Sequence, residues 1–76
     1  PGFVMSSYIK DKIEKLSLDA GISFDAAEAR FASHHMPSGR VMKPEQIAEI
    51  VAFLCSDAAA EVRGSAWSAD GGWTAR

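Results

Sequence analysis

The most strongly apolar part of the chain is a predicted helix over residues 43–55. Its apolar side chains recur at the helical spacing i, i+3, i+4, i+7, at Ile47, Ile50, Val51 and Leu54. Further apolar residues lie outside that stripe: Ala48, Ala52, Phe53 and Cys55. A helix that is apolar around most of its circumference is buried on more than one side. We therefore expect a second structural layer or another subunit to cover it.

Two weaker amphipathic helices precede this segment. The first follows an N-cap at Ser6 or Ser7 and ends at Gly21; its apolar stripe is Ile9, Ile13, Leu16 and Ala20. The second covers residues 24–35 after an N-cap at Ser23; its stripe is Phe24, Ala27, Phe31 and His34. Because both apolar faces are narrow, residues 5–36 are predicted to form a helical hairpin that is more typical of a lid than of a core.

The last part of the chain predicts a strand. Residues 65–69 alternate small and large side chains around Trp67, which we interpret as a buried strand. Asp70, Gly71 and Gly72 would end it, because these residues tolerate backbone torsions that most others avoid. Residues 43–72 are thus predicted to form a helix followed by a final strand.

The composition indicates part of a larger core. A chain of 76 residues is at most one domain, and domains of this size often need a disulfide or a metal to be stable. The hydrophobic fraction of 47% is ordinary for a globular domain, but the single cysteine, Cys55, can form no internal disulfide. The sequence also has no clustered set of metal ligands, so no metal site is predicted.

Charge and hydropathy exclude several classes of partner. The net charge is −2, and neither sign is gathered in one block, which argues against nucleic-acid binding. No apolar run approaches the roughly 20 residues that span a bilayer, and no secretory signal opens the chain. We expect Cys55 to be a buried thiol of a cytoplasmic protein.

Two residue pairs have the types that support catalysis or metal binding. Tyr8 and Lys12 have the Tyr-x-x-x-Lys spacing, in which a lysine can lower the pKa of a phenol that transfers a proton. The same spacing also occurs in a solvent-exposed i, i+4 pair without a catalytic role. We favour this second interpretation because no companion base is present. His34 and His35 are adjacent, so their side chains diverge on a helix and suit helix-end packing or the edge of a substrate pocket better than zinc.

The ordered set of short motifs resembles the C-terminal third of a short-chain dehydrogenase/reductase. It comprises Pro1-Gly2-Phe3-Val4-x-Ser6, the two-helix flap, Gly39-Arg40, Lys43-Pro44-Glu45-Gln46-Ile47-Ala48, Val51-Ala52-Phe53-Leu54-Cys55-Ser56-Asp57-Ala58-Ala59, Gly64 and Asp70-Gly71-Gly72-Trp73. Their order and spacing hold across essentially all 76 residues. Within that family, the ending from Asp70 to Arg76 is most similar to the D-3-hydroxybutyrate dehydrogenases.

The resemblance implies an α/β fold, with residues 1–76 as the C-terminal segment of one doubly wound, Rossmann-type parallel-sheet domain. It implies chemistry that depends on NAD or NADP and interconverts a secondary alcohol and a ketone, with 3-hydroxybutyrate and acetoacetate as candidate substrates. Pro1, Gly2 and Val4 would contact the nicotinamide end of the cofactor, and Ser6 stands where the family usually has threonine. The family's catalytic residues lie upstream of Pro1, so none is expected in this segment.

The resemblance also assigns the remaining elements. The two-helix flap would be the substrate lid, with His34 at its edge and Lys12 near the position where hydroxybutyrate dehydrogenases hold the substrate carboxylate with an amide. The apolar helix and the final strand would form a subunit interface of a homotetramer. The remainder of the dehydrogenase chain would be the other partner of this segment. Two alternatives stay open: a small helical interaction module without catalysis, and a reductase of the same family that acts on another carbonyl substrate. The sequence leaves the choice between NAD and NADP open, because the determinant lies upstream.

Overall fold

Three α-helices form most of the regular structure in the computed structural model, which describes residues 1–75. They are α1 (Ser7–Ala20), α2 (Phe24–Ser33) and α3 (Pro44–Leu54), followed by two short 3-10 turns, Asp57–Ala59 and Trp73–Ala75. The predicted N-caps are confirmed. Ser6 Oγ accepts the Ile9 N–H at 3.3 Å, and Ser23 Oγ accepts the Ala26 N–H at 3.1 Å. None of the helices within residues 1–75 is long and apolar enough to cross a membrane.

The second helix ends two residues earlier than predicted. The carbonyl of Ala32 accepts the N–H groups of both His35 and Met36, at 3.0 and 2.8 Å, which tightens the last turn. Pro37 then prevents the helix from continuing, because it has no N–H and disfavours helical torsions at the residue before it. His34 is therefore an exposed C-cap and not part of the buried stripe that the sequence predicted.

The buried core lies in and beside the predicted lid. Its members share near-complete burial: Ile13, Ala27, Ala32, Met36 and Val41. They come from α1, α2 and the loop that leads to α3, and residues of the N-terminal segment pack around them. Although its narrow apolar faces are more typical of a lid than of a core, the hairpin carries the buried cluster of the described residues. The apolar faces of α1 and α2 are each too narrow to form a core, but together with the loop before α3 they enclose these side chains.

The most apolar helix is the least covered one. α3 contains no buried residue, and Val51 and Phe53 are 53% and 44% exposed. Cys55, at its end, is exposed and not buried as predicted. Within residues 1–75, α3 packs mainly on the 3-10 turn Asp57–Ala59. The described chain therefore leaves uncovered the side chains that the sequence pattern marks for burial.

The predicted final strand is not formed in the described residues. Within residues 1–75, residues 65–69 belong to no ladder, and Trp67 is half exposed. One hydrogen bond ties their end to the N-terminal segment, from the Gly2 N–H to the Ala69 carbonyl at 3.2 Å. The only bridge within residues 1–75 is a parallel one between Val4 and Met42. A strand forms by hydrogen bonding to a neighbouring strand. Residues 1–75 supply no neighbouring strand for residues 65–69.

Candidate functional site

The N-terminal segment is held in place by hydrogen bonds to two distant parts of the chain. The Met5 N–H donates to the Met42 carbonyl at 2.7 Å, and the Met42 N–H donates to the Phe3 carbonyl at 2.9 Å. Together with the bond from Gly2 to Ala69, these contacts fix residues 1–5 between the loop before α3 and the end of the chain. Pro1, Gly2, Val4 and Ser6, the predicted cofactor contacts, thus lie along one anchored loop.

The geometry of the bridge decides which groups of this loop face outward. In a parallel bridge, the partner strand bonds to the residues on either side of the central one. The N–H and carbonyl of Val4 therefore point away from Met42. The Val4 carbonyl accepts the Ser6 N–H at 2.7 Å, and the Val4 N–H remains directed to the outer side of the loop.

Ser6 adds a second polar group beside Val4. Its hydroxyl oxygen accepts the Ile9 N–H at the start of α1, and its own O–H can still donate. A backbone N–H and a hydroxyl within three residues are suitable partners for an amide group, which carries both a donor and an acceptor. The donor set therefore fits the carboxamide of a nicotinamide ring.

The two predicted lid residues occupy different parts of the helical hairpin. Lys12 is exposed on α1, with its Nζ 4.9 Å from the centre of the Tyr8 ring. This exposed cation–π pair is the solvated i, i+4 interaction that the sequence favoured over proton transfer. His34 is the exposed C-cap of α2. Within residues 1–75, no group of three His, Cys, Asp or Glu side chains is arranged to hold a metal.

An aromatic cluster behind the loop was not predicted. The Phe3 ring lies 4.8 Å from Phe31 and 5.3 Å from Trp73, and His35 stacks on Trp73 with ring centres 4.6 Å apart. These residues are 28 or more positions apart from Phe3, so no local pattern could have grouped them. The cluster joins the loop, the end of α2 and the end of the chain.

A buried carboxylate was also not predicted. Glu28 is only 9% exposed, and its Oε2 accepts the Val41 N–H at 3.0 Å. The sequence spacing could have predicted this burial. Glu28 lies four residues after Phe24 and three before Phe31, which places it on the apolar stripe of α2. The contact fixes the loop before α3 against the lid, which places Met42 opposite Val4.

The turn at the end of the chain is organised by Asp70. The Thr74 hydroxyl donates to Asp70 Oδ2 at 2.7 Å, and the N–H groups of Thr74 and Gly72 donate at 3.1 and 3.0 Å. These bonds, the Thr74 hydroxyl foremost, hold the pKa of the Asp70 carboxyl below its ordinary value of 3.8 and outweigh its partial desolvation.

Replacing Thr74 by valine should therefore raise the pKa of Asp70. Since the folded-state pKa is lowered, its stabilising effect is fully present above pH 3.8 and is lost as the pH falls through the folded-state value. The stability difference between wild type and Thr74→Val should be largest at neutral pH and should shrink in acid. A carboxyl ¹³C titration of Asp70 and unfolding at several pH values would measure both. Thr74→Ser, which keeps the hydroxyl, should behave as wild type; an unchanged pKa in Thr74→Val would contradict the assignment.

Comparison with known proteins identifies the family. Residues 9–74 match the family model described as Enoyl-(Acyl carrier protein) reductase. A D-beta-hydroxybutyrate dehydrogenase of Cupriavidus necator is 33% identical over all 76 residues, which correspond to 30% of that protein. A cis-4-hydroxycyclohexanecarboxylate dehydrogenase of Sinomonas cyclohexanicum is 45% identical over 58 residues, which are 76% of this chain and 22% of that protein.

A solved structure agrees with these relatives. The crystal structure of a short chain dehydrogenase family protein from Francisella tularensis superposes on the whole chain with a TM-score of 0.74 and 37% sequence identity. The chain covers 31% of that structure and about the same share of the first relative's length. The resemblance stated from the motifs is confirmed: with a match over residues 9–74 and this structural likeness, the chain belongs to the short-chain dehydrogenase/reductase family.

Proposed function

We propose that this segment works within a longer NAD(P)-dependent dehydrogenase that interconverts a secondary alcohol and a ketone. The observation that carries the proposal is the anchored loop of residues 1–6, in which the Val4 N–H points away from Met42 and Ser6 is exposed. The family match supports the reaction class. The rest of the domain would supply the catalytic residues. An interaction module without catalysis would not account for the family match over residues 9–74.

The loop would hold the carboxamide of the cofactor. NAD or NADP supplies hydride transfer at the nicotinamide ring when it is bound. The Val4 N–H would donate to the carboxamide oxygen, and the Ser6 hydroxyl would bond the amide or a phosphate oxygen. Pro1 and Gly2 would line the approach to the ring. Because three backbone hydrogen bonds already anchor residues 2–5, these groups are preorganised and lose little entropy on binding.

The substrate we propose is a hydroxy acid. Two of the relatives are named for hydroxy carboxylates, 3-hydroxybutyrate and 4-hydroxycyclohexanecarboxylate. Lys12 carries an exposed ammonium group on the lid, and a carboxylate would be its natural partner. His34, at the end of the same hairpin, would border the pocket. 3-Hydroxybutyrate is the first candidate, and a reductase acting on another carbonyl compound is the alternative.

The uncovered face of α3 supports assembly. Ile50, Phe53 and Trp67 line an open cleft on this helix, with the Phe53 and Trp67 rings 5.6 Å apart. We propose that α3 and residues 65–69 pack on the rest of the domain and on a second subunit of a homotetramer. An exposed free thiol at Cys55 suits a reducing compartment, and we propose a cytoplasmic location.

The test is turnover by the longer protein that contains this segment. It should reduce NAD or NADP with 3-hydroxybutyrate or another secondary alcohol from a panel of hydroxy acids. Ser6→Ala should raise the KM for the dinucleotide about fivefold, since one hydrogen bond contributes about 1 kcal/mol. Steady-state kinetics with each dinucleotide would measure both effects.

The matched control is Ser23→Ala, which removes the equivalent cap from α2 and about the same stability. Ser23→Ala should leave the dinucleotide KM unchanged, and Ser6→Thr should retain wild-type behaviour. Absence of turnover with every substrate, in a folded protein, would overturn the proposed function. Equal effects of the two alanine variants would show that Ser6 acts only as a cap.

A further inference from the structure

Met36 is the point where three distant segments of the chain meet. It is completely buried. Its backbone ends the tight turn after α2, and its carbonyl accepts the Gly39 N–H at 2.8 Å. Its side chain reaches both the N-terminal loop and the turn at the end of the chain, at Gly2, Phe3 and Gly71. Neither the motifs nor the periodicity of the sequence marks this residue.

The methyl group of Met36 occupies a slot between two glycines. A Cβ atom at Gly2 would lie 2.9 Å from Met36 Cε, and one at Gly71 would lie 2.8 Å from the same atom. Real Cβ atoms essentially never come so close. The slot therefore exists because both neighbours lack side chains, and the flexible thioether fills it.

The sulfur makes a directional contact as well. The Phe3 N–H donates to Met36 Sδ at 3.3 Å, while the Phe3 carbonyl accepts the Met42 N–H at 2.9 Å. Phe3 is thus held on both sides. Because the peptide group is planar and trans, fixing the Phe3 carbonyl also fixes the Val4 N–H, which points the opposite way.

We propose that Met36 is a positioning residue for dinucleotide binding, acting through Phe3 on the Val4 N–H. The inference rests on the proposed function, since it deepens the role of the same loop. Without the sulfur, the N–H of the peptide between Gly2 and Phe3 loses its acceptor, so that Phe3 is held only through the bond from its carbonyl to Met42. The loop then samples orientations in which the Val4 N–H no longer faces the carboxamide. Dinucleotide affinity falls as the competent population falls.

Two substitutions separate the hydrogen bond from packing. Met36→Leu keeps the volume and the apolar character but has no acceptor. Met36→Gln keeps the length and carries an amide oxygen that can accept the Phe3 N–H, but it buries a polar group. A packing role predicts that leucine is the better replacement. A positioning role predicts that glutamine is better for dinucleotide binding even though it is worse for stability.

The experiment uses the longer protein. Met36→Leu should raise the dissociation constant of the dinucleotide about three- to tenfold, the value of one hydrogen bond. The KM for the alcohol, at saturating dinucleotide, should stay the same. Without any ligand, amide exchange measured by mass spectrometry should quicken in the peptide that contains Phe3. Met36→Gln should lie closer to wild type in dissociation constant and in exchange at Phe3. The control is Ile13→Val, at an equally buried position of α1, which should change neither readout.

The outcomes are distinguishable. If wild type binds no dinucleotide, the proposed function fails and this inference fails with it. If wild type binds but Met36→Leu matches Ile13→Val in affinity and exchange, the positioning role is overturned while the proposed function stands. If Met36→Leu is too unstable to purify, Met36→Gln decides by itself: near-wild-type affinity at reduced stability supports positioning, and affinity lost with unchanged exchange at Phe3 overturns it.

Discussion

Replacing Gly71 by alanine should destabilise the protein by about 2–4 kcal/mol. Gly71 has φ +64°, a left-handed conformation that costs about 1–2 kcal/mol for a residue with a Cβ atom. The new Cβ would also lie 2.6 Å from Ser38 Oγ and 2.8 Å from Met36 Cε. Since the new Cβ would also lie 3.2 Å from Met36 Cβ and Met36 is completely buried, a shift of the methyl end of Met36 does not by itself relieve the crowding. Chemical denaturation of the longer protein would measure the loss.

Gly64 provides the matched control. It has nearly the same torsion, φ +66°, but nothing lies within 4 Å of a Cβ built on it. Gly64→Ala should therefore show the torsional cost alone, about 1–2 kcal/mol. The difference between the two variants isolates the close approach of Met36 and Ser38. Equal losses at the two positions would contradict the packing described for the turn at the end of the chain.

Replacing Val51 by aspartate should dissociate the oligomer that we propose for the longer protein. Val51 lies on the uncovered face of α3 and is 53% exposed in the described chain. If another subunit covers it, the substitution buries an unpaired carboxylate, and an uncompensated buried charge costs about 3–5 kcal/mol. A loss of this size in each interface lowers the association constant by more than a hundredfold. Sedimentation velocity at micromolar concentration would show smaller species.

Leu18 provides the comparison for this substitution. It is also an exposed apolar residue, 82% accessible, but it lies on α1 and away from α3. Leu18→Asp should leave the sedimentation profile unchanged, because isolated exposed apolar side chains are common on protein surfaces. An oligomer that withstands Val51→Asp, in a folded protein, would show that the α3 face is covered only by the rest of its own domain or by nothing.

Local features of this fold could be predicted because their causes are local. The serine caps of α1 and α2, the end of α1 at Gly21 and the start of α3 at Pro44 depend on side chains within four residues of the backbone groups they satisfy. The helical stripes followed from the periodicity for the same reason. The family resemblance depended only on the order and spacing of short motifs, which are properties of the sequence itself.

The sequence predicted which residues form the candidate loop, but not the contacts that hold the loop in place. The resemblance named Pro1, Gly2, Val4 and Ser6. It gave no reason why the loop should hold its shape. That reason lies in contacts to residues far along the chain, from Met36, Met42 and Ala69. No spacing rule connects residues more than 30 positions apart, because such contacts depend on how the helices pack.

Two expectations that residues 1–75 leave unmet, the covering of α3 and the final strand, share one cause. The sequence pattern marks residues 43–55 for burial and residues 65–69 for a strand, but burial and strand pairing depend on neighbouring segments. Within residues 1–75 the necessary neighbours are missing, so α3 stays uncovered and no ladder forms beside Trp67. The sequence by itself thus determined the helices, their caps and the family. Only the tertiary structure decided where the core lies and which buried side chains hold the candidate loop, because burial requires surfaces from several segments to meet in space.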